Sequence, residues 1–107
     1  MNDILLVFTN LPDAASAEKL ARQLIEVHAA ACVNQLAPCT STYRWQGKIE
    51  FATEVPLLIK TTQAAYPRLE KLILEAHPYE LPEIIAVPVN VGLPAYLSWV
   101  SEETGII

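Results

Sequence analysis

The segment His77-Pro78-Tyr79-Glu80-Leu81-Pro82-Glu83-Ile84 brings an imidazole, a phenol and two carboxylates close together, with two prolines pinning the backbone between them. Imidazole and carboxylate ligate metals and move protons, and a residue before proline is held extended or in a turn. The segment therefore reads as a stiff connector with polar side chains, set between a helix ending near His77 and a strand beginning near Glu83. A structural role competes with this one. Histidine and proline often close helices, because imidazole meets the last carbonyls and proline cannot continue the ladder. For this segment taken alone, capping is the better reading.

Three other residues carry chemistry. Lys60 ends an apolar run, where a buried ammonium needs a carboxylate partner. Glu54 lies six residues earlier and shares its face unless Pro56 introduces a bulge. Cys32 and Cys39 are seven apart, which in an unbroken strand puts them on opposite faces and implies no disulfide. Cys32, between Ala31 and Val33, reads as a small core residue. Cys39 follows a proline in a polar stretch, is expected to be exposed, and suits adventitious metal or oxidation chemistry. His28 reads as a helix-end residue with no functional role. No G-x-G-x-x-G, P-loop, G-x-S-x-G, C-x-x-C or H-E-x-x-H pattern occurs.

The elements that must position these groups follow from periodicity. Ile4 to Phe8 is a continuous apolar run, expected as a strand buried on both faces. Asn10-Leu11-Pro12-Asp13 makes a turn with Asp13 as N-cap. Ala17, Leu20, Ala21, Leu24 and Val27 then recur at helical spacing opposite Glu18, Lys19, Arg22, Gln23 and Glu26. Ala31 to Trp45 is strand-like but broken near Pro38. Gln46-Gly47 signals a hairpin turn, and Lys48 to Lys60 runs back. Pro56 there requires an edge position or a bulge. The hairpin arms are long for so small a chain, and a projecting Tyr43-Arg44-Trp45 tip predicts a partner. A second helix carries Leu69, Leu72, Ile73 and Ala76. Thr62 is one candidate cap for it, but Pro67 favours a start near Tyr66. Ile84 to Val89 is expected as another buried strand. Leu93-Pro94 opens a terminal helix with Tyr96, Leu97, Trp99 and Val100. The order β-α-β-β-α-β plus a helix predicts an α+β, ferredoxin-like sandwich in one domain spanning residues 1–107.

Composition excludes whole classes of function. A net charge of −5, with seven scattered basic residues, argues against nucleic acid. The apolar run at the start is too short for a secretory core or a membrane span, so a cytoplasmic protein with free thiols is expected. With 107 residues and 52% hydrophobic content, the chain makes a core of marginal size unless it oligomerises.

Several separated motifs resemble one family, the CutA divalent cation tolerance proteins. They are Ala30-Ala31-Cys32-Val33-Asn34, Ser41-Thr42-Tyr43-Arg44-Trp45-Gln46-Gly47-Lys48, Leu58-Ile59-Lys60-Thr61, the His77–Ile84 connector, and Tyr96-Leu97-Ser98-Trp99. The resemblance runs from Phe8 to Trp99. It implies a tight homotrimer with hairpins pairing between subunits, similar in architecture to the PII signalling proteins. It also implies a polar inter-subunit cleft, onto which Trp45, Glu54, Lys60, Tyr79, Glu83 and Trp99 are carried over. Copper or another divalent cation is the implied ligand. Of the proposed ligand set only His77 is present, since Phe8 and Ala76 stand where some members have cysteine and a second histidine.

Three readings follow. The first is a non-enzymatic trimer that binds copper or other divalent ions weakly and contributes to metal tolerance. The second is a signalling or scaffold trimer, binding a small anion through Lys60. The third is an acid–base enzyme built on Lys60, Glu54, Glu83 and Tyr79, which no nucleophile or cofactor motif supports. The expected partners are further copies of the chain and metal ions, with no nucleic acid and no membrane.

Overall fold

The computed structural model describes residues 3–105. Eight elements follow in order: β1 (Ile4–Leu11), α1 (Ala14–Glu26), β2 (Cys32–Gln35), β3 (Cys39–Trp45), β4 (Lys48–Thr62), α2 (Tyr66–Ala76), β5 (Ile85–Pro88) and α3 (Pro94–Thr104). The sheet runs β2-β4-β1-β5, every pair antiparallel, with β3 also on β4. Both β1-α1-β2 and β4-α2-β5 thus skip one strand, the interleaving expected from the element order. Among the described residues no helix is long and apolar enough to cross a membrane.

Local chemistry accounts for the boundaries. Asp13 caps α1, its carboxylate accepting from the Ser16 N–H at 2.7 Å. Pro67 occupies the first turn of α2, where its missing N–H removes nothing. Thr62 accepts from the Ala65 N–H at 3.1 Å and so orders the approach to α2 rather than its cap. Gln46 and Gly47 both take positive φ, 51° and 82°, the combination a two-residue hairpin needs.

The core lies on one face of the sheet. Val7, Leu11, Leu57 and Ile59 pack there under Leu20 and Leu24 of α1 and Leu69 and Ile73 of α2. Among the described residues the other face is covered only at one end, where α3 packs on β4 and β1, Val100 and Ile4 are buried, and Thr104 reaches Thr62 at 3.4 Å. β1 is therefore not buried on both sides: Leu6 and Phe8 alternate with Val7 and are only part-buried. β5 departs further from expectation. It pairs with β1 alone, all four of its residues are exposed, and Ile85 and Val87 lie beside Phe8 and Leu6 on the uncovered face. In α1 the apolar stripe stops early, with Val27 exposed past the last turn.

The break near Pro38 is a register shift. Cys32 faces Lys60 while Cys39 faces Glu54, so seven steps on one side oppose six on the other. One extra residue is absorbed between Gln35 and Cys39, a bulge. Both cysteines therefore fall on the same face, contrary to the alternation of an unbroken strand, and both are free thiols. The same bulge accommodates Pro56 in an interior strand. The Pro56 carbonyl accepts from the Leu36 N–H at 2.9 Å, so its N–H-less nitrogen also points toward the gap between β2 and β3.

Candidate functional site

The outer half of the β3–β4 hairpin and the proline connector enclose a cavity of about 770 Å³. Its walls are Ser41 to Trp45, Ala52 and Glu54 from the hairpin, Asn10 from the end of β1, and Tyr79, Glu80, Leu81 and Glu83 from the connector. Four of the six expected cleft residues thus meet here: Trp45, Glu54, Tyr79 and Glu83.

His77 holds the connector in place. The residue is only 8% exposed. One ring nitrogen, Nε2, donates to the Asn10 carbonyl at 2.6 Å, and Nδ1 accepts from the Tyr79 N–H at 3.2 Å. The histidine also caps α2, its own N–H reaching the Ile73 carbonyl at 2.8 Å. Asn10 works from the other side, its side-chain amide donating to Glu83 at 3.0 Å. Tyr79 packs on the His77 ring at 4.6 Å between centroids and donates its hydroxyl to Glu54. Burial, and then that bond to a carboxylate, push the Tyr79 phenol up to about 12.

Glu54 is the buried charge of this cavity, only 8% exposed. Its partner is a neutral phenol, and no ion pair forms among the described residues.

Lys60 and Trp99 lie elsewhere. Lys60 shares Glu54's face of β4, but six residues along a strand is roughly 20 Å. Its ammonium donates to Asn34 Oδ1 and lies 4.0 Å from Cys32 Sγ. The expected pairing of Lys60 with Glu54 or Glu83 is absent within one chain, because distance along β4 outweighs their shared face. Tyr96 of α3 bonds the same Cys32, and desolvation with that contact raises its phenol. Cys32 is accordingly half-buried among polar groups rather than a core residue. Trp99 stacks obliquely on Tyr96 at 5.6 Å. A second cluster, Cys32, Asn34, Lys60, Tyr96 and Trp99, therefore stands apart from the cavity.

Sequence reasoning passed over Asn10, Tyr43, Arg44 and Glu80 as cavity residues. Tyr43 and Arg44 carried a signal, as part of the overlong hairpin tip, and Glu80 as part of the connector. Asn10 carried none beyond its place in a turn.

The donors available to a divalent metal fit poorly in a single chain. Both His77 ring nitrogens are engaged, and among the described residues no three His, Cys, Asp or Glu side chains converge as a metal site.

The family model for the CutA1 divalent ion tolerance protein matches residues 5–103. This chain belongs to that family. It is 41% identical over 105 residues to the divalent-cation tolerance protein CutA of Thermus thermophilus, covering 98% of this chain and all of that one. It is 43% identical to mouse protein CutA over 91% of this chain, and spans only about 55% of the mouse protein's length. The crystal structure of CutA from Xylella fastidiosa superposes with a TM-score of 0.92 at 49% identity, over 95% of this chain and 98% of that one. The family is named for tolerance, not for a reaction.

Proposed function

We propose that the chain acts in divalent-cation tolerance as a closed, non-enzymatic homotrimer, whose clefts form where the Glu54 cavity of one copy meets the Lys60–Trp99 cluster of the next. The carrying observation is the uncovered sheet face. Leu6, Phe8, Leu58, Ile85 and Val87 share it, and on the opposite face of β4, out along the hairpin beyond the helices, Ile49 is 62% and Phe51 70% exposed. Apolar surface of that extent on a small chain calls for a partner. A cyclic arrangement covers it and supplies the core that one subunit lacks.

Charge supports the same arrangement. Among the described residues, Glu54 is a buried carboxylate without a cation, and Lys60 is a half-buried ammonium without a carboxylate. The two are too far apart to pair within a subunit. A neighbouring copy removes that obstacle.

Metal enters this reading through the assembly. A symmetric ring multiplies weak single-chain donors, and copper or another divalent cation bound this way needs ligands from more than one copy. Native mass spectrometry tests the proposal. A mass three times that of the chain is expected, and a monomer overturns it. Metal retained at a fixed ratio to subunits is the expected outcome of the same experiment run with copper.

A further inference from the structure

We infer that the cavity between the hairpin and the proline connector is a receptor for an ammonium group, with Glu54 as its counter-charge and Tyr43, Trp45 and Tyr79 as its aromatic walls. The inference deepens the cleft reading by giving its ligand a chemical class, and it reverses the sign expected from a lysine-centred anion site.

Three observations converge. First, a charge that is nine-tenths buried is costly unless it is paired. Glu54 has one neutral hydroxyl partner and no cation within ion-pairing distance among the described residues. Second, carboxylates outnumber cations in the cavity lining three to one. Glu80 and Glu83 join Glu54 in the lining, against the single guanidinium of Arg44, which pairs with none of them among the described residues. An anionic ligand would meet three carboxylates. Third, the apolar part of the wall is aromatic, and a ring face attracts an organic cation while also covering its alkyl stem. A small inorganic ion would gain little from those walls, and among the described residues no three His, Cys, Asp or Glu side chains converge to hold one. The volume of about 770 Å³ falls in the range of small-molecule sites and admits an alkylammonium with its stem.

Two sources offer this chemistry: a free small amine, or a lysine side chain of a second copy. The probe is 1,4-diaminobutane, with citrate as the control of opposite sign. Binding is followed by calorimetry on the whole protein and by the fluorescence of Trp45 in a Trp99→Phe background. Saturable diamine binding without citrate binding is expected. Glu54→Gln should weaken it about tenfold or more, the share of one charge-assisted hydrogen bond. Diamine affinity unchanged in Glu54→Gln overturns the inference, as does citrate binding in preference to diamine.

If no free diamine binds, the ammonium must come from a second copy. Glu54→Gln must then lower the associated fraction in light scattering, and failure of both overturns the inference. A monomeric parent protein defeats the trimer reading alone, since the diamine titration still interrogates the cavity of the single chain.

Discussion

The His77 Nε2–H donates to the Asn10 carbonyl at 2.6 Å, and the Asn10 amide in turn holds Glu83 at 3.0 Å. The end of β1 is thereby tied to both ends of the proline connector. The imidazole thus works as a bracket, with its second nitrogen accepting from Tyr79.

His77→Ala leaves the Asn10 carbonyl and the Tyr79 N–H without their protein partner. Losing such part-buried bonds costs up to about 1–3 kcal/mol each where water cannot replace them. A urea midpoint clearly below that of the parent is expected. Copper calorimetry separates this bracket role from ligation. With both ring nitrogens already engaged, parent and His77→Ala should titrate alike, and a copper affinity that collapses in the variant would restore the imidazole as a ligand.

The local elements were legible because their signals are local. Asp13, Gln46-Gly47, Pro67 and Leu93-Pro94 each act within one turn of chain, and each marks the boundary expected of it. The misreadings came from relations across strands. A single bulge residue reversed the expected orientation of Cys32 against Cys39, and no residue type announces a bulge of that kind beyond Pro38 and Pro56. Period-two alternation correctly put Glu54 and Lys60 on one face but is blind to their separation along it. The exposure of β5 is also non-local. Ile85, Ala86 and Val87 have the composition of a buried strand, and only the sheet order shows that nothing among the described residues covers them.

Phe51→Glu tests whether the hairpin is a mating surface. Phe51 is 70% exposed in one chain and makes no contribution to the core. The substitution should leave the folded subunit intact by circular dichroism. Burying a phenylalanine contributes about 1.5–3 kcal/mol, so losing that at each contact should move the assembly toward smaller species at micromolar concentration. Light scattering unchanged from the parent would remove the hairpin from the interface.

Lys60→Met keeps the stem and deletes the charge. Within one subunit the substitution removes the bond to Asn34 and the weak contact with Cys32 Sγ, and exposed polar contacts of this kind contribute about 0–1 kcal/mol. If a carboxylate of a neighbouring copy completes a buried pair, the loss rises to about 3–5 kcal/mol and appears in association. The expected result is a trimer that dissociates on dilution while the far-ultraviolet dichroism stays native. An assembly as tight as the parent's would leave Lys60 a solvated residue of the Cys32 cluster.

Pro56→Ala should lower stability by about 0.4–1 kcal/mol, chiefly by loosening the unfolded chain. The alanine N–H it introduces would point into the bulge between β2 and β3, where the regular ladder is interrupted, so no strong new bond offsets the change. A stabilised variant in urea titration would show that the gap closes once a donor is available.

Alkaline titration reads the Tyr79–Glu54 contact directly. Burial, followed by the bond to Glu54, raises the Tyr79 phenol from an ordinary value of about 10 to about 12. A raised value means that the folded chain prefers the protonated phenol. The corresponding stability is fully present below about pH 10, declines as pH rises toward 12, and is gone above it. Tyr79→Phe lacks this dependence, so its unfolding midpoint should fall less steeply than the parent's across that window. Tyr66 and Tyr96 are also raised and remain in both proteins, so the difference isolates Tyr79. Glu54→Gln should draw the Tyr79 titration back toward 10 by removing the carboxylate acceptor, while burial keeps part of the shift. Phenolate absorbance that is identical in Glu54→Gln and the parent would mean that the hydroxyl does not face the carboxylate in solution.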